Sequence, residues 1–162
     1  MKIFLAHSFS EDISSIIVEV QEFLESLGHQ CISGEKPESS GVSDKVKKRI
    51  NDCDIFLGIF NQENKISGED NAYTTSNWVI QESGFALGKE KGTIFLVENG
   101  IYKFPGLQGD LEVVFFDKEM VSKSFTKISH MISSLDGNKQ EEYEIISSEV
   151  GNDEKNRIIS NC

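Results

Sequence analysis

The sequence predicts an α/β fold: an open, flavodoxin-like, five-stranded parallel sheet with helices on both faces. Two features of the chain support this prediction. Short apolar runs that favour strands alternate with segments of helical periodicity, and the runs are apolar along their whole length, as in strands buried on both faces. The five runs cover residues 2–6, 29–33, 54–60, 92–97 and 112–116. A length of 162 residues suits one such domain.

The helices are predicted from apolar residues spaced three and four apart. The first and clearest helix carries them at Ile13, Ile16, Ile17, Val20, Phe23, Leu24 and Leu27. It ends at Gly28, and Ser8 and Glu11 precede it with the spacing of a capping box. Further helices are expected around residues 43–51, 75–89 and 122–135.

The composition changes after about residue 135. Residues 136–162 contain few large apolar side chains, and seven acidic residues stand against three basic ones. We therefore expect two parts, a folded domain over 1–135 and an acidic linker or tail over 136–162. Such a linker suggests that a sensor or oligomerisation domain belongs to a longer protein.

The charge balance and the cysteines limit the possible binding partners and the cellular compartment of the protein. Acidic residues outnumber basic ones by 27 to 16, and a net charge of −11 repels nucleic-acid phosphates and anionic membrane surfaces. No apolar run is long enough to span a membrane. Cys31, Cys53 and Cys162 lack the spacing of zinc ligands, and their odd number favours a reducing compartment. We expect a cytoplasmic protein that uses neither a metal ion nor a resident cofactor, with Cys31 and Cys53 as small buried side chains.

Residues at the strand ends disfavour several functions that are common on this fold. A phosphoacceptor receiver needs acidic residues after the first strand and an Asp after the third, but the chain has His7 and Asn61 there. The segment from Gly84 to Lys89 has one residue too few between its glycines for a phosphate-binding loop, and it lies within a predicted helix. No Gly-x-Gly-x-x-Gly follows the first strand, so binding of a dinucleotide for hydride transfer is unsupported.

The helix predicted over 75–89 carries an unusual acidic residue. Trp78 and Glu82 are four residues apart and share a helix face, which Phe85 and Ala86 continue. Two interpretations are open. Either Glu82 lies at a hydrated edge of the apolar stripe, or it points into a cleft at the carboxyl edge of the sheet.

These residues together resemble the Toll/interleukin-1 receptor (TIR) domain family, especially its bacterial members. The segment from Lys2 to Asp12 is similar to the family's first strand and following loop, and that from Asp54 to Phe60 to its third strand. The segment from Ser76 to Glu82 matches the family's Ser-x-Trp-x-x-x-Glu helix. Order and spacing agree from about residue 2 to 135. The resemblance implies a TIR fold, which is the flavodoxin-like arrangement predicted above.

In enzymatic TIR domains the glutamate that matches Glu82 is the catalytic residue, and it cleaves the nicotinamide–ribose bond of NAD⁺. The resemblance therefore implies an NAD⁺ nucleosidase or ADP-ribosyl cyclase that is activated by self-assembly and acts in bacterial antiphage defence, with an upstream activator or sensor. NAD⁺ is then the substrate, and homo-oligomers form through TIR–TIR contacts. Hydrolysis and cyclisation both remain open.

The expected substrate-binding residues lie in the loops at the carboxyl ends of the strands and on the third helix. They are His7, Ser8, Phe9, Ser10, Gly34, Lys36, Tyr73, Ser76 and Trp78. Ser8, Phe9 and Ser10 stand at a helix start, where backbone N–H groups and hydroxyls suit a pyrophosphate, and Lys36 is the nearest candidate cation. Structural roles are the alternative for several of these: helix capping for Ser76, capping or packing for His7, and packing for Phe9 and Trp78.

The chain departs from the family pattern in one marker. Many plant and bacterial members have Cys after the Trp, where this chain has Val79.

Two other functions stay open. One is a non-catalytic TIR adaptor that acts by self-association. The other is a nucleoside deoxyribosyltransferase-like enzyme, since the segment from Glu82 to Lys89 also resembles that family, which uses a glutamate at the same helix position.

Overall fold

The sheet of the protein has five parallel strands in the order β2-β1-β3-β4-β5. The structure, a computed structural model, describes residues 1–34, 43–102 and 113–137. The strands are β1 (Lys2–Ala6), β2 (Gln30–Ser33), β3 (Ile55–Phe60), β4 (Gly92–Glu98) and β5 (Val113–Phe116). The predicted α/β, flavodoxin-like fold is confirmed, because both the strand order and the all-parallel pairing are those of that winding.

The helices alternate with the strands as the periodicity predicts. They are α1 (Ser14–Ser26), α2 (Asp44–Asn51), α3 (Asn77–Gly88) and a last helix, α4, over residues 125–137. A 3₁₀ turn at Glu11–Ile13 precedes α1, and another segment, Lys118–Ser124, precedes α4. The capping-box prediction is wrong: Ser10 is the N-cap of the first turn and makes no side-chain cap bond. Ser8 does not cap because its hydroxyl is hydrogen-bonded elsewhere, as described below.

The chain divides into two units, Met1–Ile128 and Ser129–Cys162. The first contains the whole sheet and the first three helices. In the second, the described residues are those of α4 up to 137. The tail predicted over 136–162 lies almost wholly outside the described residues, so the domain boundary near 135 stays a prediction. Among the residues that are described, no helix has both the length and the apolar character needed to cross a membrane.

Aromatic side chains fill the core between the sheet and α2 and α3. The rings of Phe4 and Phe56 stack with centroids 5.8 Å apart, and those of Phe60 and Phe95 meet edge to face at 5.4 Å. A Cβ atom at Gly58 would lie 2.9 Å from the Phe60 ring. Glycine at this position in β3 therefore lets its aromatic neighbours close over the strand, and the packed sheet gives a rigid base for the strand ends that follow.

Candidate active site

Polar side chains meet where β1, β2 and β3 end, at the carboxyl edge of the sheet. His7 follows β1, and its Nδ1 lies 2.8 Å from the backbone oxygen of Ser8. That carbonyl only accepts, so the ring proton is assigned to Nδ1, and Nε2 accepts from the Ser33 hydroxyl at 3.2 Å. Burial lowers the pKa of His7, opposed in part by the bond to Ser8. His7 is therefore a neutral link between the ends of β1 and β2.

A second bond joins β1 to β3 at this edge. The Ser8 hydroxyl donates to Asn61 Oδ1 at 2.8 Å, and Asn61 is fully buried directly after β3. Asn61 Nδ2 donates in turn to the Gln62 carbonyl at 3.0 Å. The bond between Ser8 and Asn61 holds together the ends of β1 and β3. In sheets of this type, ligands bind in the crevice between those two strand ends.

Glu82 places a carboxyl group against this edge from α3. Its side chain is 1% exposed, and a Cβ atom built on Gly34, just after β2, would lie 3.3 Å from Glu82 Oε1. The same position lies 3.6 Å from the ring of Phe4. A side chain at position 34 would therefore contact the carboxyl tightly and require it to shift slightly.

Burial raises the pKa of the Glu82 carboxyl to about 8. The neighbouring Trp78 indole N–H acts in the opposite direction and lowers it. Even so, neither Trp78 Nε1 nor Glu82 Oε1 has a hydrogen-bond partner of acceptable geometry in the described part of the chain. The carboxyl is thus a desolvated acid with unused hydrogen-bonding capacity, a combination typical of functional sites.

The packing of α3 explains how an acid comes to be buried. Val79, Glu82, Ser83 and Ala86 form the buried face of this helix, and Trp78 packs against the aromatic core beside it. Of the two interpretations of Glu82, a hydrated edge of the stripe is wrong, since the residue is 1% exposed. Trp78 packs against the core and also lies close to the Glu82 carboxyl, so the two roles considered for it do not exclude each other.

The remaining predicted residues differ in their surroundings. Phe9 is 39% exposed, and its ring lies edge-on to His7 with centroids 5.3 Å apart. The Ser10 hydroxyl donates to the Asp12 carboxylate, which also pairs with Lys118, so this hydroxyl is already bonded.

Tyr73 and Ser76 precede α3 along the chain. Tyr73 bridges Lys65 and Ile101 through its backbone. Ser76 is the N-cap residue of α3, but its side chain makes no cap bond, so the capping role predicted for it is wrong as regards the hydroxyl. Lys36 lies outside the described residues.

The structure brings together His7, Ser8, Gly34 and Glu82 through residues that the sequence did not single out. Ser33 binds His7, and its carbonyl accepts from Arg49 Nη1 at 3.2 Å. Asn61 is the other such residue. Ser33 and Asn61 each lie at the carboxyl end of a predicted strand, so the sequence position could have identified them. The contact of Arg49 could not be predicted in this way, because it depends on how α2 packs in the folded protein.

The described residues offer neither a metal centre nor a reactive thiol. Within 1–34, 43–102 and 113–137, no three His, Cys, Asp or Glu side chains are grouped to hold a metal ion. Cys53 is buried as predicted, and Cys31 is partly buried. Desolvation raises the pKa of Cys31 to about 11, so this thiol is a poor nucleophile at neutral pH.

The fold and the site define a flavodoxin-like α/β protein with a buried carboxyl group at the carboxyl edge of its sheet. Residues 2–116, more than half of the chain, match the family model described as CAP12/Pycsar effector protein, TIR domain. The chain belongs to this bacterial TIR-domain effector family, and the resemblance seen in the sequence is confirmed. No curated protein is significantly similar to the chain.

Two solved structures are similar in fold. One is the CMP N-glycosidase BcmB of Clostridium botulinum, with 20% identity, a TM-score of 0.54, and coverage of 80% of this chain and 98% of that one. The other is a 2-deoxyribosyltransferase of Bacillus psychrosaccharolyticus, with 20% identity, a TM-score of 0.47, and coverage of 75% and 90%. At this level of identity the similarity concerns the fold alone.

Proposed function

We propose that this protein cleaves the bond between nicotinamide and ribose in NAD⁺, with Glu82 as the catalytic residue. The observation that carries the proposal is the buried Glu82 carboxyl against Gly34 at the carboxyl edge of the sheet, where its Oε1 has no hydrogen-bond partner among the described residues. Family membership supports the proposal, because the segment from Ser76 to Glu82 resembles the TIR helix motif in which the glutamate is catalytic.

Cleavage of the nicotinamide–ribose bond requires only one acidic residue. The pyridinium nitrogen of NAD⁺ takes the electron pair of the glycosidic bond and leaves as neutral nicotinamide, so no proton has to be supplied to it. The ribose carbon left behind becomes oxocarbenium-like, and an adjacent carboxylate stabilises that charge. Water then adds at this carbon and releases a proton to give ADP-ribose, or a nucleophilic atom of the same ADP-ribose adds to give a cyclic product.

The raised pKa of Glu82 leads to a pH profile that discriminates between two mechanisms. Stabilisation of a cationic transition state needs the ionised carboxylate, so kcat/KM for NAD⁺ should rise with pH and level off above about 8. A nucleosidase that protonates a neutral base would use the neutral carboxyl, and its kcat/KM would fall over the same range.

We also base our proposals for the protein's partners, cellular compartment and biological role on its family membership. We place the enzyme in the cytoplasm as an antiphage effector that becomes active when TIR domains assemble and that responds to an upstream activator or sensor. Phe9 and Lys36, predicted as substrate contacts, also belong to this proposal. NAD⁺ enters it as substrate and not as a resident cofactor.

The test is product analysis at high protein concentration and under induced clustering. Wild-type protein is incubated separately with NAD⁺, deoxynucleosides and CMP, and nicotinamide, free bases and ADP-ribose isomers are identified by mass spectrometry. Nicotinamide from NAD⁺ is expected, with at least a hundredfold loss in Glu82→Gln, which keeps the side-chain size and removes the charge. Glu19→Gln, at an exposed position on α1, is the matched control and should retain wild-type turnover.

Other outcomes assign the alternatives. Free base from deoxynucleosides, with NAD⁺ intact, would identify a deoxyribosyltransferase-like enzyme. Assembly without turnover of any substrate would identify a TIR adaptor. NAD⁺ consumption that survives Glu82→Gln would overturn the mechanism.

A further inference from the structure

Among the described residues, three buried polar atoms without a hydrogen-bond partner lie within eight residues, just before α3 and along its first half. They are Thr75 Oγ1, Trp78 Nε1 and Glu82 Oε1. Thr75 is 6% exposed, so its hydroxyl is largely removed from bulk solvent. A buried polar atom that bonds to nothing destabilises the folded protein, and most such atoms in proteins are paired. The Trp78 indole N–H and the Glu82 carboxyl act on each other, whereas Thr75 Oγ1 has no such neighbour in the described part of the chain. Thr75 therefore indicates a group that the protein binds there.

The N-terminus of α3 provides further unused donors beside Thr75. The first helical bond runs from the Ile80 N–H to the Ser76 carbonyl, at 3.2 Å. The N–H groups of the three residues before Ile80 therefore have no acceptor within the helix. Ser76, also 6% exposed, accepts none of them through its side chain, and the first turn of α3 contains no acidic residue. This helix end therefore retains the partial positive charge that attracts anions.

The start of the first helical segment is less suited to an anion. Glu11 and Asp12 stand in its first turn, and the Ser10 hydroxyl already donates to Asp12. Two carboxylates thus oppose a phosphate there, whereas none does so in the first turn of α3.

The order of the three atoms along α3 indicates which part of a substrate meets Thr75. Because α3 follows β3, its N-terminus lies at the carboxyl edge of the sheet, where the ligand enters. Glu82 is six residues further along than Ser76, a rise of about 9 Å. A nucleotide whose ribose lies at Glu82 therefore extends its phosphate toward Thr75.

We infer that the Thr75 hydroxyl and the N-terminus of α3 bind the phosphate attached to the ribose that reacts. This inference rests on the proposed function, and it names a specificity determinant: the site selects nucleotides over nucleosides. The hydroxyl donates to a phosphate oxygen, which gives this buried atom its partner.

The test compares substrates with and without that phosphate. NAD⁺, nicotinamide mononucleotide and nicotinamide riboside share the same scissile bond, and the riboside lacks the phosphate. Thr75→Val keeps the shape of the side chain and removes the hydroxyl. For this variant kcat/KM should fall about ten- to hundredfold for NAD⁺ and the mononucleotide, as expected for a lost hydrogen bond to a charged group. The value for the riboside should stay unchanged.

A matched control separates binding from folding. The Ser83 hydroxyl is also buried on α3, but it donates to the Ile80 carbonyl at 2.8 Å. Ser83→Ala should lower the melting temperature without changing the preference for phosphorylated substrates. Thr75→Val should leave the melting temperature unchanged or raise it, because it removes an unpaired buried hydroxyl.

Binding to Glu82→Gln protein gives a readout that does not need turnover. In that background Thr75→Val should weaken binding of nicotinamide mononucleotide, measured by calorimetry, about tenfold or more. Equal losses for mononucleotide and riboside, or a large fall in melting temperature, would overturn the inference. If wild-type protein cleaves none of the three substrates but Thr75→Val still weakens mononucleotide binding selectively, the proposed function fails and the phosphate site stands.

Discussion

The substitution Glu82→Gln tests whether the buried carboxyl destabilises the folded protein, apart from any role in catalysis. Glutamine is nearly isosteric with a protonated glutamate but does not ionise in the accessible pH range. The difference in unfolding free energy between variant and wild type therefore isolates the ionisation of one side chain. It should grow with pH, because burial raises the pKa of Glu82 from an ordinary value of 4.5 to about 8.

The sign follows from proton binding in the two states. Between pH 4.5 and 8 the native protein keeps the proton on Glu82, whereas the unfolded chain has released it. Stability therefore falls as pH rises through this window, and the loss is complete above about 8. At pH 5 the penalty is under about 1 kcal/mol, at pH 7 it is about 3 kcal/mol, and above pH 8 it approaches about 5 kcal/mol, all as upper limits since relaxation and water entry reduce them.

These magnitudes are large beside a total stability of about 5–15 kcal/mol for a domain. Urea unfolding at pH 5, 7 and 9 should show wild type and Glu82→Gln nearly equal at pH 5 and the variant more stable by about 2–5 kcal/mol at pH 9. Glu19→Gln removes the same formal charge from an exposed position on α1 and should change stability by less than about 0.5 kcal/mol throughout. A stability difference that stays constant with pH would refute the reasoning that Glu82 is protonated at neutral pH.

Three further substitutions test the geometry around the site. Gly34→Ala should reduce NAD⁺ turnover about tenfold or more while changing the unfolding free energy by less than about 1 kcal/mol, because its Cβ would lie 3.3 Å from Glu82 Oε1 and displace the carboxyl; equal kinetics would contradict this. Gly84→Ala, at an exposed helical position with open space around it, should stabilise the protein by about 0.5–1 kcal/mol in urea unfolding and leave turnover unchanged. Ser8→Ala should destabilise by about 1–3 kcal/mol, because the fully buried Asn61 loses its donor; a melting temperature equal to that of wild type would show that water replaces the hydroxyl.

The fold class could be predicted from the sequence because the pattern of hydrophobic burial distinguishes its strands from its helices. Strands covered on both faces are apolar at every position, as β3 is from Ile55 to Phe60, and such runs are recognisable without knowledge of their neighbours. The helix α1 was equally clear, since one face of it packs on the sheet. Element boundaries agreed with the prediction to within a few residues.

The polar contacts of the site could be predicted only in part. The spacing of Ser8 and Glu11 suggested a local cap, but the Ser8 hydroxyl bonds to Asn61, 53 residues away in the sequence. The link from His7 to Ser33 likewise joins two strand ends that are adjacent only in the folded sheet. A local pattern cannot reveal such partners, because the sheet topology decides which strand ends meet. The Trp-x-x-x-Glu spacing did predict that Trp78 and Glu82 share a helix face, since both residues lie on one helix.

A comparison of two buried acids in this chain indicates why Glu82 differs from a structural residue. Glu98 ends β4 and is 7% exposed, and its Oε2 accepts from the Gln62 backbone N–H at 2.8 Å. That bond ties the end of β4 to the loop after β3, so the burial of Glu98 is compensated within the protein. Glu82 is more deeply buried, yet its Oε1 has no partner in the described residues. A structural role would explain a paired acid but not an unpaired one, because an apolar side chain of the same size would be more stable there. Under the proposed function that partner is the ribose of the substrate, whose hydroxyl groups can donate a hydrogen bond to the carboxyl.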